Sequence, residues 1–280
     1  MIRADLVVLD AAQMLTLAGP APRTRDALRD LSVISGGCLA ARDGKLVFVG
    51  TRDAFEAEVS LDDAAEIIDA SDQVVMPGFV DAHTHLPFAG SREKELAQRL
   101  AGATYKEIAA AGGGIMSTVR ATRAAGDEEL LDLILRRMDR MLVEGVTSCE
   151  AKSGYGLTLD HELRLLRLLR RAAGAHPLQI AATFLGAHTI PAEFADDREG
   201  YIALVIEKMI PAVAKEGLAR YCDVFCEEGV FDLAESRRIL TAGAAAGLTP
   251  RLHADQLSAT GGAELAAELG AASADRKSVV

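Results

Sequence analysis

The chain has 280 residues, half of them hydrophobic, with aromatics at only 4% and no Trp, which is enough for two ordinary domains or one large barrel with a core built mainly from Ala- and Leu-rich helices. It carries 30 basic against 41 acidic residues, a net charge of −11; this argues against nucleic acid as the main partner, since phosphate binding needs a basic face, but not against a small anionic substrate held by one arginine. The start MIRADLVVLD has early charges and no long apolar core, and no run of about 18 uninterrupted apolar residues follows, so neither a secretory signal nor a membrane span is expected.

In chain order, residues 1–75 read as β-structure. DLVVLD is a short apolar strand, and CLAARDGKLVFVG is two strands around Asp43-Gly44, a pair that tolerates positive φ. AEIID and QVVMPG are two further short strands. From about residue 77 the pattern changes. DEELLDLILRRMDRMLVEG, residues 127–145, has the apolar spacing of a long amphipathic helix ending at Gly145. Strand VTSCEAK, helix DHELRLLRLLRRAAG, strand LQIAATFLG and helix REGYIALVIEKMIPAVAKEG, with its internal proline, come next. Strand YCDVFCEEG precedes helix DLAESRRILTAGAAAG, where Asp232 and Glu235 have capping-box spacing. Strand LTPRLHA, a short helix GGAELAAELG and the start of a strand in AASAD complete the series. Alternating strands and helices with short connections make a parallel β/α fold, barrel or doubly wound. No GxGxxG follows the first strand, which counts against a dinucleotide fold. The alternation stops at Asp275, so a barrel of eight units would lack one or two.

Six histidines are present, and two of them stand one residue apart as His83-Thr84-His85, at the end of the apolar run VVMPGFV. On a strand, i and i+2 side chains share a face, and in a β/α barrel the C-terminal strand ends carry the active site. His253 ends LTPRLHA and His188 ends IAATFLGAH, at equivalent positions. A mononuclear hydrolytic site needs three or four protein ligands and an open position for water, and His83, His85 and His253 make three. Cys222 and Cys226 alternate within a strand and are read as buried thiols; with Cys38 and Cys149 they form no disulfide framework, which suits a reducing, cytoplasmic compartment. Lys152, also at a strand end, is read as a structural or substrate-facing lysine in preference to a carboxylated, metal-bridging one. The GGG of residues 112–114 is read as a helix-breaking loop in preference to an anion cradle.

PGFVDAHTHLPFAGSRE resembles the signature of the metal-dependent amidohydrolase superfamily. RLAGATYKEIAAAGGGIMSTV, KSGYGL, TFLGAHTIP, CDVFCEEGVF and LHADQLSATGGAELAAELGAASAD extend the resemblance over residues 1–275, to the branch that opens an imidazolone ring in histidine degradation. The resemblance implies an α/β fold: a (β/α)8 TIM-type barrel, incomplete in this chain, with a small β-sandwich built from both chain ends. Its domains would be 1–75 (part of the sandwich), 76–275 (the barrel) and a non-native tail at 276–280. It implies hydrolysis of the cyclic amide of 4-imidazolone-5-propanoate to N-formimidoyl-L-glutamate with one divalent metal ion, Zn or Fe. The partner would be that small molecule, with no nucleic acid and no membrane; a homodimer is one assembly this reading allows, and the sequence does not fix the oligomeric state. By motif match, His83, His85 and His253 correspond to metal-binding positions. Arg92, Tyr155, His188 and Gln256 correspond to substrate-contacting positions, His188 and Gln256 also to catalytic ones. Arg92 is expected to turn its planar fork toward the metal mouth for the propionate, not toward a surface carboxylate. His188 is expected to polarise the carbonyl or hold a ring nitrogen. Gln256 stands where many relatives have Glu, and an uncharged amide cannot act as a general base.

Two departures stand out. The family follows SAD with a histidine that helps activate the water, where this chain has Arg276, and the family's aspartate ligand lies on a later strand. DRKSVV is also the translation of GATCGGAAGAGCGTCGTG, the start of a common sequencing adapter, so the natural sequence is expected to end near Ala274 and the chain as given to be inactive. The competing readings are another cyclic-amide hydrolase or a deaminase on the same fold, and a non-catalytic metal-binding fragment.

Overall fold

The computed structural model describes residues 1–104, 107 and 113–275. The tail 276–280 and Gly112 of the triple glycine lie outside the described residues. The chain divides into two compact units, Met1–Gly78 and Phe79–Val280.

The first unit contains β1 (Ile2–Ala11), β2 (Gln13–Leu15), β3 (Val33–Ile34), β4 (Gly37–Arg42), β5 (Lys45–Thr51), β6 (Val59–Asp69) and β7 (Val74–Val75). They form a four-stranded sheet in the order β5-β4-β1-β6 and a three-stranded sheet in the order β3-β2-β7. Asp43 and Gly44, with φ of 51° and 72°, form the two-residue turn of the β4–β5 hairpin, the backbone twist that suits such a connection. AEIID is not a strand of its own but the end of β6, which pairs in parallel with β1. The intervening helix Arg52–Glu58 escapes the periodicity reading because two turns are too short to show a stripe. Thr51 caps it by accepting from the Ala54 N–H, and its Phe55 packs with Ala4, Val7 and Ala40.

The second unit is built on β8 (Phe79–Thr84), β9 (Val146–Lys152), β10 (Gln179–Ala187), β11 (Tyr221–Cys226), β12 (Thr249–Ala254) and β13 (Ala274–Asp275). They lie parallel, in sequence order, in one six-stranded sheet. Helices Asp127–Val143, Leu159–Ala175, Leu233–Ala245 and Gly262–Glu268 alternate with the strands. The segment 198–216 is interrupted by a π-turn at Val205–Met209, immediately before the first turn that holds Pro211, where a missing N–H does least harm. Asp232 and Glu235 close the reciprocal capping box at the start of Leu233–Ala245.

The sheet curls until its first and last strands face each other. Arg251 on β12 donates to the Ala82 carbonyl on β8 at 3.0 Å, and His83 Nδ1 lies 3.3 Å from Asp275 Oδ2 on β13. Strand periodicity then sorts the side chains. Cys149, Ala151, Cys222, Val224, Cys226 and Leu252 point outward and join the helices in one hydrophobic core. The residues between them, including Glu150, Lys152, Asp223 and His253, are the buried polar lining of the inner face. All four cysteines are free thiols, and burial pushes Cys149 up to about 12, so it stays a neutral thiol. No helix among the described residues is long and apolar enough to cross a membrane.

Candidate metal centre

β8 carries His83 in its last turn of chain and leaves His85 just past its end, so the i, i+2 spacing delivers both imidazoles to the inner face. β12 brings His253 alongside Phe225 of β11 on one flank and Asp275 of β13 on the other. One ring nitrogen from each of His83, His85 and His253 falls within 4.8 Å of the others. The His83 and His253 rings are 4.4 Å apart, and His85 is 5.4 and 5.5 Å from them.

The surroundings select one nitrogen on two of the rings. His253 Nδ1 lies 3.0 Å from Asp223 Oδ2, a contact bent away from the hydrogen-bond line, and His83 Nδ1 lies 3.3 Å from Asp275 Oδ2. A carboxylate behind one nitrogen leaves Nε2 as the donor toward the shared point, the usual arrangement for ligating histidines. His85 Nδ1 is buried without a hydrogen-bond partner, a costly state for a polar atom that receives nothing in return. Burial and the neighbouring His188, His253 and His83 rings push His85 well below its ordinary pKa, so it keeps its lone pairs. Three imidazoles around one point, one with an orphaned nitrogen, fit a borderline divalent ion such as zinc or iron(II).

His188 stacks on His85 at 5.1 Å, and its Nδ1 lies 2.9 Å from the Gly154 carbonyl. A carbonyl only accepts, so Nδ1 carries the proton and Nε2 is an acceptor. Burial, followed by the neighbouring His253, lowers His188 to about 3. The neutral ring therefore offers a lone pair, which suits holding a ring N–H and not polarising a carbonyl. Tyr155 stands 5.6 Å from His85 and 5.3 Å from His188, and also lines a cavity of about 580 Å³ with Arg92, Phe88, Arg137 and Arg140. Arg92 lines this cavity, but its guanidinium is turned to Glu95, with Nε and Nη2 each 2.7 Å from Oε2; the expectation that it avoids a carboxylate does not match the structure. The reason is local, since residues i and i+3 at a helix start are neighbours. Glu95 also accepts from the Gly114 N–H at 2.9 Å, so that glycine N–H of the triple-glycine run serves an internal carboxylate and precedes helix Ile115–Ala124. Gln256 is half-buried on the loop after β12, which Asp255 folds back by accepting the N–H groups of Thr260, Gly261, Gly262 and Ala263.

Lys152 is fully buried, with Nζ 2.6 Å from Glu150 Oε1 and 2.7 Å from Asp223 Oδ2. That is the environment of an ammonium; a carboxylated lysine would set a third negative group against two carboxylates. Sequence reading passed over Glu150 and Asp223. The signal was there, because a charged residue in the parity opposite to Cys222, Val224 and Cys226 must face the inside of a closed sheet.

No family model matches the chain. It is 53% identical over 97% of its length to an imidazolonepropionase from Symbiobacterium thermophilum, and 47% identical, again over 97%, to one from Haloarcula marismortui. The chain is a relative of the imidazolonepropionases. It spans 64% of the length of the Symbiobacterium imidazolonepropionase and 63% of the Haloarcula one. Among solved structures it resembles a 5-methylcytosine deaminase from Klebsiella pneumoniae, with a TM-score of 0.62 and 15% identity over 94% of this chain and 56% of that one. An adenosine deaminase from Xanthomonas campestris with bound zinc gives 0.59 and 16% over 96% and 53%. At such identities these two show the fold, that of the amidohydrolase-type deaminases and hydrolases, and imidazolonepropionase kinship rests on the sequence.

Proposed function

We propose that the chain carries the metal-binding and substrate-facing part of an imidazolonepropionase, which hydrolyses the ring amide of 4-imidazolone-5-propanoate to N-formimidoyl-L-glutamate. The fold read with it is an incomplete (β/α)8 barrel at residues 76–275 and the first part of a small β-sandwich at 1–75. The observation that carries the proposal is the place of Tyr155. It touches the histidine cluster on one side and shares a cavity with Arg92 on the other, so a ring and an anionic tail each meet a matching group.

His83, His85 and His253 would hold the ion, zinc or iron. Such an ion, when bound, supplies Lewis acidity and a water of lowered pKa. His188, with its proton fixed on Nδ1 by the Gly154 carbonyl, accepts a ring N–H of the substrate at Nε2. Tyr155 donates its hydroxyl to the anionic tail, and Arg92 exchanges Glu95 for that carboxylate. Gln256 orients the ring through its amide. In the net reaction water adds oxygen to the carbonyl carbon, the C–N bond breaks, one proton of the water goes to the departing nitrogen, and the other is released as the new carboxyl group ionises.

The test is to load the chain with zinc or iron(II), alone and complemented with the remaining portion of the Symbiobacterium relative, and to measure N-formimidoyl-glutamate. The complemented protein is expected to turn over the propanoate substrate and not neutral cyclic amides or guanine. Equal turnover of uncharged analogues would overturn the assignment.

A further inference from the structure

Several polar side chains of the second unit are buried more deeply than the histidines, Lys152 among them. Lys152 has no exposed surface, and its ammonium lies within 2.7 Å of two buried carboxylates and 4.0 Å from Asp275 Oδ2. We propose that Lys152 is a positioning residue of the metal centre: it fixes Asp223, and through Asp223 it sets the ring of His253. The inference rests on the metal-binding reading above.

The geometry runs from strand to strand. β9 puts Glu150 and Lys152 on the inner face, two residues apart. β11 puts Asp223 opposite them, and Asp223 then meets His253 of β12 at two points. Its Oδ1 accepts the His253 backbone N–H at 3.1 Å, and its Oδ2 lies 3.0 Å from the His253 Nδ1. Asp223 makes these contacts while fully buried. An unpaired charge at such depth is strongly disfavoured, whereas a paired one persists only with good geometry. Lys152 is the partner that makes it tenable. Glu150 completes the group from the other side, where it accepts from the Thr183 hydroxyl and, at 3.4 Å, from the Thr84 N–H between His83 and His85. The cation therefore links the strand of His253 to the strand of His83 through two carboxylates. Removing it releases the carboxylate that sets the direction of His253 Nε2.

Lys152→Met alone strands two buried carboxylates, so the informative variant is Lys152→Met with Glu150→Gln, which removes one charge of each sign. Zinc affinity, measured by competition with a chromogenic chelator, is expected to weaken about 10–100-fold, the usual effect of losing a ligand's outer partner. The visible spectrum of the cobalt(II)-loaded variant is expected to differ from that of the parent, because the His253 ring is no longer held. Affinity within twofold of the parent with an unchanged cobalt spectrum would overturn the proposal. A parent chain that binds no zinc would instead overturn the metal-binding reading. Should the double variant fail to fold, ¹⁵N-lysine spectra of the parent decide. An exchange-protected ammonium whose signal moves on zinc addition supports the role. A carbamate carbon taken up from ¹³C-bicarbonate, or a Lys152 signal that zinc leaves unmoved, defeats it.

Discussion

Two of the loops that bring polar side chains to the candidate site are tied down in different ways. The loop after β9, which carries Tyr155, is held through its backbone. Glu162, fully buried, accepts the N–H groups of Gly154, Gly156 and Leu157 at 3.0, 2.8 and 2.8 Å. The carbonyls are taken as well, Gly156 by Arg123 at 2.7 Å and Gly154 by His188 at 2.9 Å. Gly154 has a φ of +104°, and a Cβ there would stand 2.9 Å from the Leu185 carbonyl, so no other residue fits. The loop after β8, which carries Arg92, is tied only over its first half. Arg137 donates to the carbonyls of Leu86 and Phe88 at 2.6 and 2.7 Å and lies over the Phe88 ring at 3.6 Å. Beyond Gly90 the chain emerges, and the Arg92 side chain, 44% exposed, is held by its pairing with Glu95. One loop fixes an aromatic wall by many backbone bonds; the other holds a cation through one neighbouring carboxylate, which the proposed function would exchange for a ligand's.

The strongest way to break the contrast is Glu162→Ala. Three buried N–H groups lose their acceptor at once, each costing about 1–3 kcal/mol, so urea unfolding is expected to show a loss of at least about 3 kcal/mol. Glu162→Gln, which keeps one oxygen, should lose roughly half as much. A loss below about 1 kcal/mol for the alanine variant would mean that the loop is not organised by this carboxylate.

These ties were only partly legible in the sequence. The period-two alternation of VTSCEAK and YCDVFCEEG marks strands, and His83, His85 and His253 stand visibly at strand ends because strand and helix lengths are local properties. The partners of Lys152 and Glu162 were not legible. Lys152 meets Asp223 on a strand two places away in the sheet, a pairing that depends on closure of the sheet and not on spacing along the chain. Glu162 reads as an ordinary acidic residue in the first turn of a helix, yet it turns back to the loop ahead of it and is buried there. The Arg92–Glu95 pair was within reach, since i, i+3 neighbours at a helix start are a sequence signal, but the resemblance drew attention to the substrate instead.

A smaller effect follows from the histidine that seals the tied loop. His188 is lowered to about 3 and His85 well below its ordinary 6.5, in both cases chiefly by burial. A histidine depressed in the fold binds its proton more readily when unfolded, so its contribution is complete above about pH 6.5 and is lost as pH falls below that value. Each contributes a slope of about 1.4 kcal/mol per pH unit once the pH is well under 6.5. The metal-free chain should therefore lose stability from about pH 6 downward, and His188→Asn should remove one histidine's share of the slope. Stability that stays flat between pH 6 and pH 4.5 would show that neither ring is held neutral.

The smallest effect on stability and the clearest on binding is expected at Arg92. An exposed ion pair contributes about 0–1 kcal/mol, so Glu95→Gln should leave unfolding within that range, particularly as the Gly114 N–H and Ser117 hydroxyl still find an amide oxygen. The same change frees the guanidinium, and affinity for the proposed propanoate substrate or an unreactive imidazole-propanoate should rise a few-fold. Arg92→Lys works in the opposite direction. The lysine keeps the charge but loses the planar fork, and the loss of about one charge-assisted hydrogen bond corresponds to about tenfold weaker binding. Zinc affinity should be unchanged in both variants, because Arg92 belongs to the cavity beyond Tyr155 and not to the histidine cluster. Titration calorimetry with the imidazole-propanoate distinguishes the outcomes. If Glu95→Gln and Arg92→Lys both bind as the parent does, the second loop is not an anion clasp, and its looser attachment has no bearing on the substrate.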